Sequence, residues 1–165
     1  MNRTRLLTTM ALFVAIGTVG AQLLWFPTGI AKAYPVQHAV NVMAAVILGP
    51  IPAVIIAFVI GLLRNLLGLG TILAFPGGMI GALFAGYFYR WTKKKALAAT
   101  GEIIGTGVIG SLLSVPIANI VLGQSAGALA FVPGFIVSSC TGAILGVFVL
   151  SRIKQHTLVP NNIQS

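Results

Sequence analysis

Three polar side chains open one apolar segment: Gln37, His38 and Asn41. At helical spacing Gln37 and Asn41 lie one turn apart, and His38 and Asn41 nearly so. Arg64 and Asn65 close another apolar run, and Gln22, Asn119 and Gln124 stand near the ends of others. Amides donate and accept hydrogen bonds, an imidazole does either, and a guanidinium only donates. Such a set can hold a small molecule by directed hydrogen bonds, and it contains little that breaks bonds. The sequence has no H-E-x-x-H zinc pair and no G-x-x-x-x-G-K-[ST] phosphate loop. Glu102 is the one acid and Cys140 the one cysteine, so neither an acid-rich metal site nor a disulfide framework can be built. His38 with a serine would make a hydrolytic dyad, but nothing in the sequence selects the serine. The expectation is a binding protein without catalysis, cofactor or metal.

The elements that carry these groups belong to a membrane. Hydrophobic residues make up 58% of the 165 residues and charged ones 7%, with a mean hydropathy of +1.04. A soluble domain carries roughly a quarter charged residues. The apolar runs are long and do not alternate every second residue, so the chain reads as all-α rather than a barrel. The net charge of +9 does not point to nucleic acid, because the basic residues sit between apolar runs, where they set orientation.

Taken in order, the expected spans are about 6–25, 37–48, 51–65, 76–90, 101–122 and 129–150, in a single transmembrane domain with a polar tail over 151–165. Arg3 and Arg5 precede the first run, which is long enough to be an uncleaved helix rather than a signal peptide. From His38 to Leu63 the one interruption is Gly49-Pro50-Ile51-Pro52, compatible with two short helices or one kinked helix. Counting basic residues favours two. With six spans, Arg3, Arg5, Arg90, Lys93, Lys94, Lys95, Arg152 and Lys154 share one side against Lys32 and Arg64. The N- and C-termini are then both cytoplasmic.

In that topology the strong polar groups fall in the outer half and outer loops, while the cytoplasmic half is apolar and Gly-rich. Glu102 falls near a cytoplasmic span end, so no carboxylate is expected mid-membrane to couple protons or sodium. The polar cluster reads as a pocket open to the outside, or else as interfacial caps and inter-helix hydrogen bonds. Gly77, Gly81 and Ala85 form one smooth face that lets another helix approach closely. Ala11 and Ala15 form a small-residue pair near the basic end of the first helix, for a partner helix or for packing within the chain. A protein able to bind from outside yet unable to energise uptake points to a capture subunit driven by a partner.

Several stretches together carry a family resemblance. They are Ala11-xxx-Ala15, Pro35-Val36-Gln37-His38 with Asn41, Arg64-Asn65, and Phe75-Pro76-Gly77-Gly78-Met79-Ile80-Gly81-Ala82. Over about Leu6 to Leu150 the chain resembles the S-component, or substrate-binding subunit, of an energy-coupling-factor (ECF) vitamin transporter. It is most similar to the thiazole-specific ThiW type. The resemblance implies capture of hydroxyethylthiazole, a thiamine precursor, at the plasma membrane of a prokaryote. It also implies a transmembrane T-component and two ATP-binding cassette ATPases as partners, with Ala11 and Ala15 at the docking face. The family's sites use the last three helices and outer loops, which implicates Asn119. The expected site is then Trp25, Tyr34 and Phe75 for ring faces, with Gln37, His38, Asn41, Arg64, Asn65 and Asn119 for polar contacts. The alternatives are an S-component for another precursor, such as hydroxymethylpyrimidine, or a stand-alone transporter or facilitator.

Overall fold

The structure, a computed structural model, describes residues 1–28 and 32–153. The expected tail lies outside the described residues apart from its first three positions. Helix α1 is Arg3–Leu23, α2 is Pro35–Leu48, α3 is Pro50–Leu66 and α4 is Ala74–Thr92. Helix α5 runs unbroken over 95–121, and α6 is Val132–Arg152. Among the described residues the structure is all-α apart from one antiparallel strand pair, β1 (Phe26–Pro27) against β2 (Lys32–Ala33), in the connector between α1 and α2. Among the same residues three helices, Arg3–Leu23, Lys95–Ile120 and Val132–Arg152, are long and apolar enough to cross a membrane, and α2 and α3 are shorter apolar helices.

The interruption after Leu48 makes two helices. Gly49 adopts φ +89°, a conformation that costs glycine nothing and strains other residues. Pro50 follows at the first position of α3, where its missing N–H is not needed. The turn is sunk into the bundle: a Cβ on Gly86 of α4 would fall 2.6 Å from the Pro50 Cβ.

Helix α2 is the axis. Ten of its 14 residues are buried, and α1, α3, α4 and α6 all pack on it. Its neighbours approach through glycine. Gly20 of α1 meets Val36, and Gly146 of α6 meets the Ala39 carbonyl, which a Cβ would approach to 3.0 Å. Helix α1 turns Phe13, Gly17, Thr18 and Ala21 inward and leaves Leu7, Leu12, Ile16, Val19 and Leu23 exposed, an apolar surface suited to lipid. The smooth face on α4 meets α5 backbone to backbone. A Cβ on Gly105 would lie 2.7 Å from the Gly81 Cα, and one on Gly101 would lie 2.7 Å from the Phe84 carbonyl carbon.

Helix α5 differs most from expectation. It begins at Lys95 rather than near residue 101, because Lys93, in the left-handed conformation at φ 57°, turns the chain at once from α4 into α5. It also contains two stretches of wide, π-type turns, Ile103–Gly110 and Ile117–Val121. Such turns concentrate at functional sites. The second follows Pro116, which cannot donate to the preceding turn.

Candidate functional site

A cavity of about 510 Å³ lies at the end of the bundle where α2, α4 and α6 begin and α3 and α5 end. Its wall combines the connector, the first turn of α2, the end of α3, the loop joining α3 to α4, and the first two turns of α6. Tyr34, Gln37, His38 and Arg64 line it, joined by Phe131, Phe135 and Ser138 from α6 and its approach. The volume lies in the range of small-molecule sites, and so does the mixture of aromatic wall and few polar groups.

Arg64 holds one side of the cavity together. It is 2% exposed, and its Nη1 donates to Gln37 Oε1 while Nη2 donates to the Leu69 carbonyl at 3.1 Å. Tyr34 is fixed from the other direction, since its backbone N–H donates to Ser138 Oγ at 2.8 Å. Asn65 donates to the Gly61 and Thr71 carbonyls at 2.9 and 3.2 Å, which pins the loop between α3 and α4 rather than reaching the cavity.

A second polar centre lies one turn deeper. Glu102 is fully buried. His38 Nδ1 lies 2.8 Å from its Oε1, Asn41 Nδ2 3.1 Å and Thr106 Oγ1 3.0 Å. Asn41 Nδ2 also donates to the Gly78 carbonyl at 3.1 Å, and Thr106 Oγ1 lies 2.9 Å from the Gly77 carbonyl. A hydroxyl has a single proton, so Thr106 shares it between Gly77 and Glu102. Glu102 Oε2 and Asn41 Oδ1 are buried without a hydrogen-bond partner. Oε2 faces Gly81, where a Cβ would fall 2.6 Å away. The expectation that Glu102 sits at a span end, remote from the polar cluster, is therefore corrected. The early start of α5 carries it two turns into the helix, and it becomes the hub of the cluster.

The predicted site residues separate into three groups. Tyr34, Gln37, His38 and Arg64 meet at the cavity, and Asn41 backs them through Glu102. Asn65 and Phe75 stand behind the wall, Phe75 packing on Phe58 with ring centroids 5.6 Å apart. Trp25 and Asn119 lie outside the lining. Trp25 is 45% exposed, with the Lys32 ammonium 4.2 Å from its ring. Asn119 spends its side chain on Ala126, accepting from the backbone N–H at 2.8 Å and donating to the carbonyl at 3.2 Å. It thus braces the loop that brings Gln124 and Phe131 to the cavity. Ala11 and Ala15 are both exposed on α1, not packed within the chain.

Glu102 and Thr106 escaped the sequence reading. The signal was present, because the single acid of a membrane chain has an inward-facing partner by default, and Thr106 follows it by one turn. Gly123-Gln124-Ser125-Ala126-Gly127 has the letters of a nucleophile elbow. That motif requires a strand before it and a helix after it; here it follows the end of α5, and Ser125 is exposed. No group of three or more His, Cys, Asp or Glu that could hold a metal occurs among the described residues.

Residues 7–156 match the family model described as thiamine-precursor transporter protein (ThiW). No curated protein matches the chain.

Proposed function

The chain belongs to the ThiW family of thiamine-precursor transporters, and on that premise we propose that it is the substrate-capture subunit of an ECF-type importer. It is a transport protein of the membrane and not an enzyme. In this reading six helices span a prokaryotic plasma membrane, about 6–25, 37–48, 51–65, 76–90, 101–122 and 129–150, with both termini cytoplasmic. The cavity then opens outward and receives hydroxyethylthiazole. A T-component and two ATPases supply the energy.

The cavity carries the reading. It joins ring faces from Tyr34, Phe131 and Phe135 to the polar groups of Gln37, His38 and Ser138, which suits a small neutral heteroaromatic alcohol. The exposed Ala11 and Ala15 support a docking face for the T-component, since small residues let a partner helix approach closely.

One observation favours a second reading. Glu102 with His38 is the kind of buried ionisable pair found in proton relays, as a stand-alone proton-coupled transporter would need. Proteoliposomes separate the two. The capture reading expects calorimetric binding of hydroxyethylthiazole without ATP, and net uptake only when T-component and ATPases are added. Uptake by the isolated chain under a pH gradient would establish the second reading, and binding of hydroxymethylpyrimidine in place of the thiazole would reassign the substrate.

A further inference from the structure

The deeper polar centre also bears on which ligand the cavity accepts. We propose that Glu102 is a positioning residue that fixes the tautomer of His38, making the cavity selective for a ligand that donates a hydrogen bond. The ligand chemistry is a hydroxyl or ring N–H, as against a donor-free group. The proposal rests on the reading of the cavity as the precursor site.

His38 lines the cavity, and its two ring nitrogens have different surroundings. Nδ1 is held at 2.8 Å by Glu102 Oε1, whereas Nε2 has no protein partner among the described residues. Three groups converge on Oε1, and the Asn41 Nδ2 among them can only donate. With Glu102 ionised, Oε1 accepts from each of them, and Nδ1 carries the proton that it donates. The hydrogen bond made by one ring nitrogen decides the state of the other.

Charge points the same way. Arg64 and Glu102 are the buried charged side chains among the described residues, and they are opposite in sign. Neighbouring residues of α2 contact them, Gln37 at Arg64 and His38 at Glu102. With His38 neutral the buried charge sums to zero. Nε2 then presents a lone pair to the cavity. A hydroxyl satisfies it and an ether leaves it unpaired.

Nitrogen-15 spectra of histidine-labelled protein in lipid nanodiscs test the tautomer directly. His156→Gln leaves His38 as the one imidazole. The expected spectrum shows a protonated Nδ1 and an unprotonated Nε2. Glu102→Gln, whose carbonyl can replace Oε1 as acceptor, keeps that pattern; Glu102→Met removes the acceptor and moves the proton to Nε2. Calorimetry with hydroxyethylthiazole and its O-methyl ether gives the second readout. The full chain prefers the alcohol by on the order of ten- to a hundredfold, the effect of one unpaired buried group. Glu102→Gln keeps this preference and Glu102→Met loses it. A proton on Nε2 in the unmodified protein, or an alcohol preference that survives Glu102→Met, overturns the proposal. If neither compound binds, the precursor reading fails while the spectra still decide the tautomer. If Glu102→Met does not fold, the spectrum of the unmodified centre decides alone.

Discussion

The Arg64 guanidinium sits over the Tyr34 ring, Cζ 3.8 Å from its centroid, and this contact ties the end of α3 to the connector in front of α2. With its hydrogen bonds to Gln37 and Leu69, Arg64 joins three segments of the cavity wall. A lysine keeps the charge but loses the planar fork and the stacking. Arg64→Lys is therefore expected to lower both folding stability and ligand affinity, each by about 1–3 kcal/mol. Thermal unfolding in detergent and calorimetry check it, and unchanged values in both would mean that charge alone matters at this position.

Gly81 is where the backbones of α4 and α5 come together, and it also seats the Glu102 carboxylate. Gly81→Ala is expected to destabilise the bundle by about 1–3 kcal/mol through overpacking. Gly127 has open space around it, so Gly127→Ala should leave the unfolding temperature nearly unchanged. Equal behaviour of the two variants would contradict the close α4–α5 contact.

Asn41 and Asn119 are both amides, yet the structure gives them different work. Asn41 bridges Gly78 and Glu102 inside the bundle, while Asn119 braces an exposed loop through Ala126. Asn41→Ala should cost about 1–3 kcal/mol in stability and weaken binding as well. Asn119→Ala should leave stability nearly intact and act on binding only through the loop, so that affinity falls less. Calorimetry and thermal unfolding of both variants rank them, and the reverse order would place Asn119 in direct contact with ligand.

These differences show what the sequence could and could not convey. The all-α membrane class followed from composition, and the Gln37, His38 and Asn41 group followed from helical spacing. The close approach on the Gly77 and Gly81 face was equally legible, because small residues at that spacing have few other uses in lipid. Glu102 was misplaced because its depth depends on where α5 starts, and that start depends on one left-handed residue, Lys93, in a run of three lysines with no turn signature. The brace between Asn119 and Ala126 and the wide turns of α5 are set by tertiary packing, which leaves no periodic trace in the sequence.

Docking at the first helix is tested by bulk. Ala11 and Ala15 are exposed, so Ala15→Trp should leave binding and thermal stability nearly unchanged while abolishing complex assembly and ATP-driven uptake. Full assembly and uptake in this variant would remove α1 from the proposed interface.

Topology is tested by labelling. In a Cys140→Ala background, a cysteine replacing Lys32 should react with an impermeant maleimide in intact cells, and one replacing Lys94 should react only after permeabilisation. Reaction at the Lys94 position in intact cells would invert the proposed orientation.

Helix α2 is about 21 Å long at 1.5 Å per residue, against a hydrocarbon core of roughly 30 Å, and it carries Gln37, His38 and Asn41 in its first two turns. Such a segment is a poor passenger through the insertion machinery on its own. Gly49 and Pro50 fold it straight onto α3, so in the proposed six-span arrangement the two enter as a hairpin. The groups that satisfy Asn41 arrive 37 and 61 residues later, at Gly78 and Glu102. During synthesis these side chains must stay within reach of water until α4 and α5 emerge and close around them. In that arrangement the deep polar centre has all its partners once α5 is in place, whereas the cavity still lacks Phe135 and Ser138 until α6 follows.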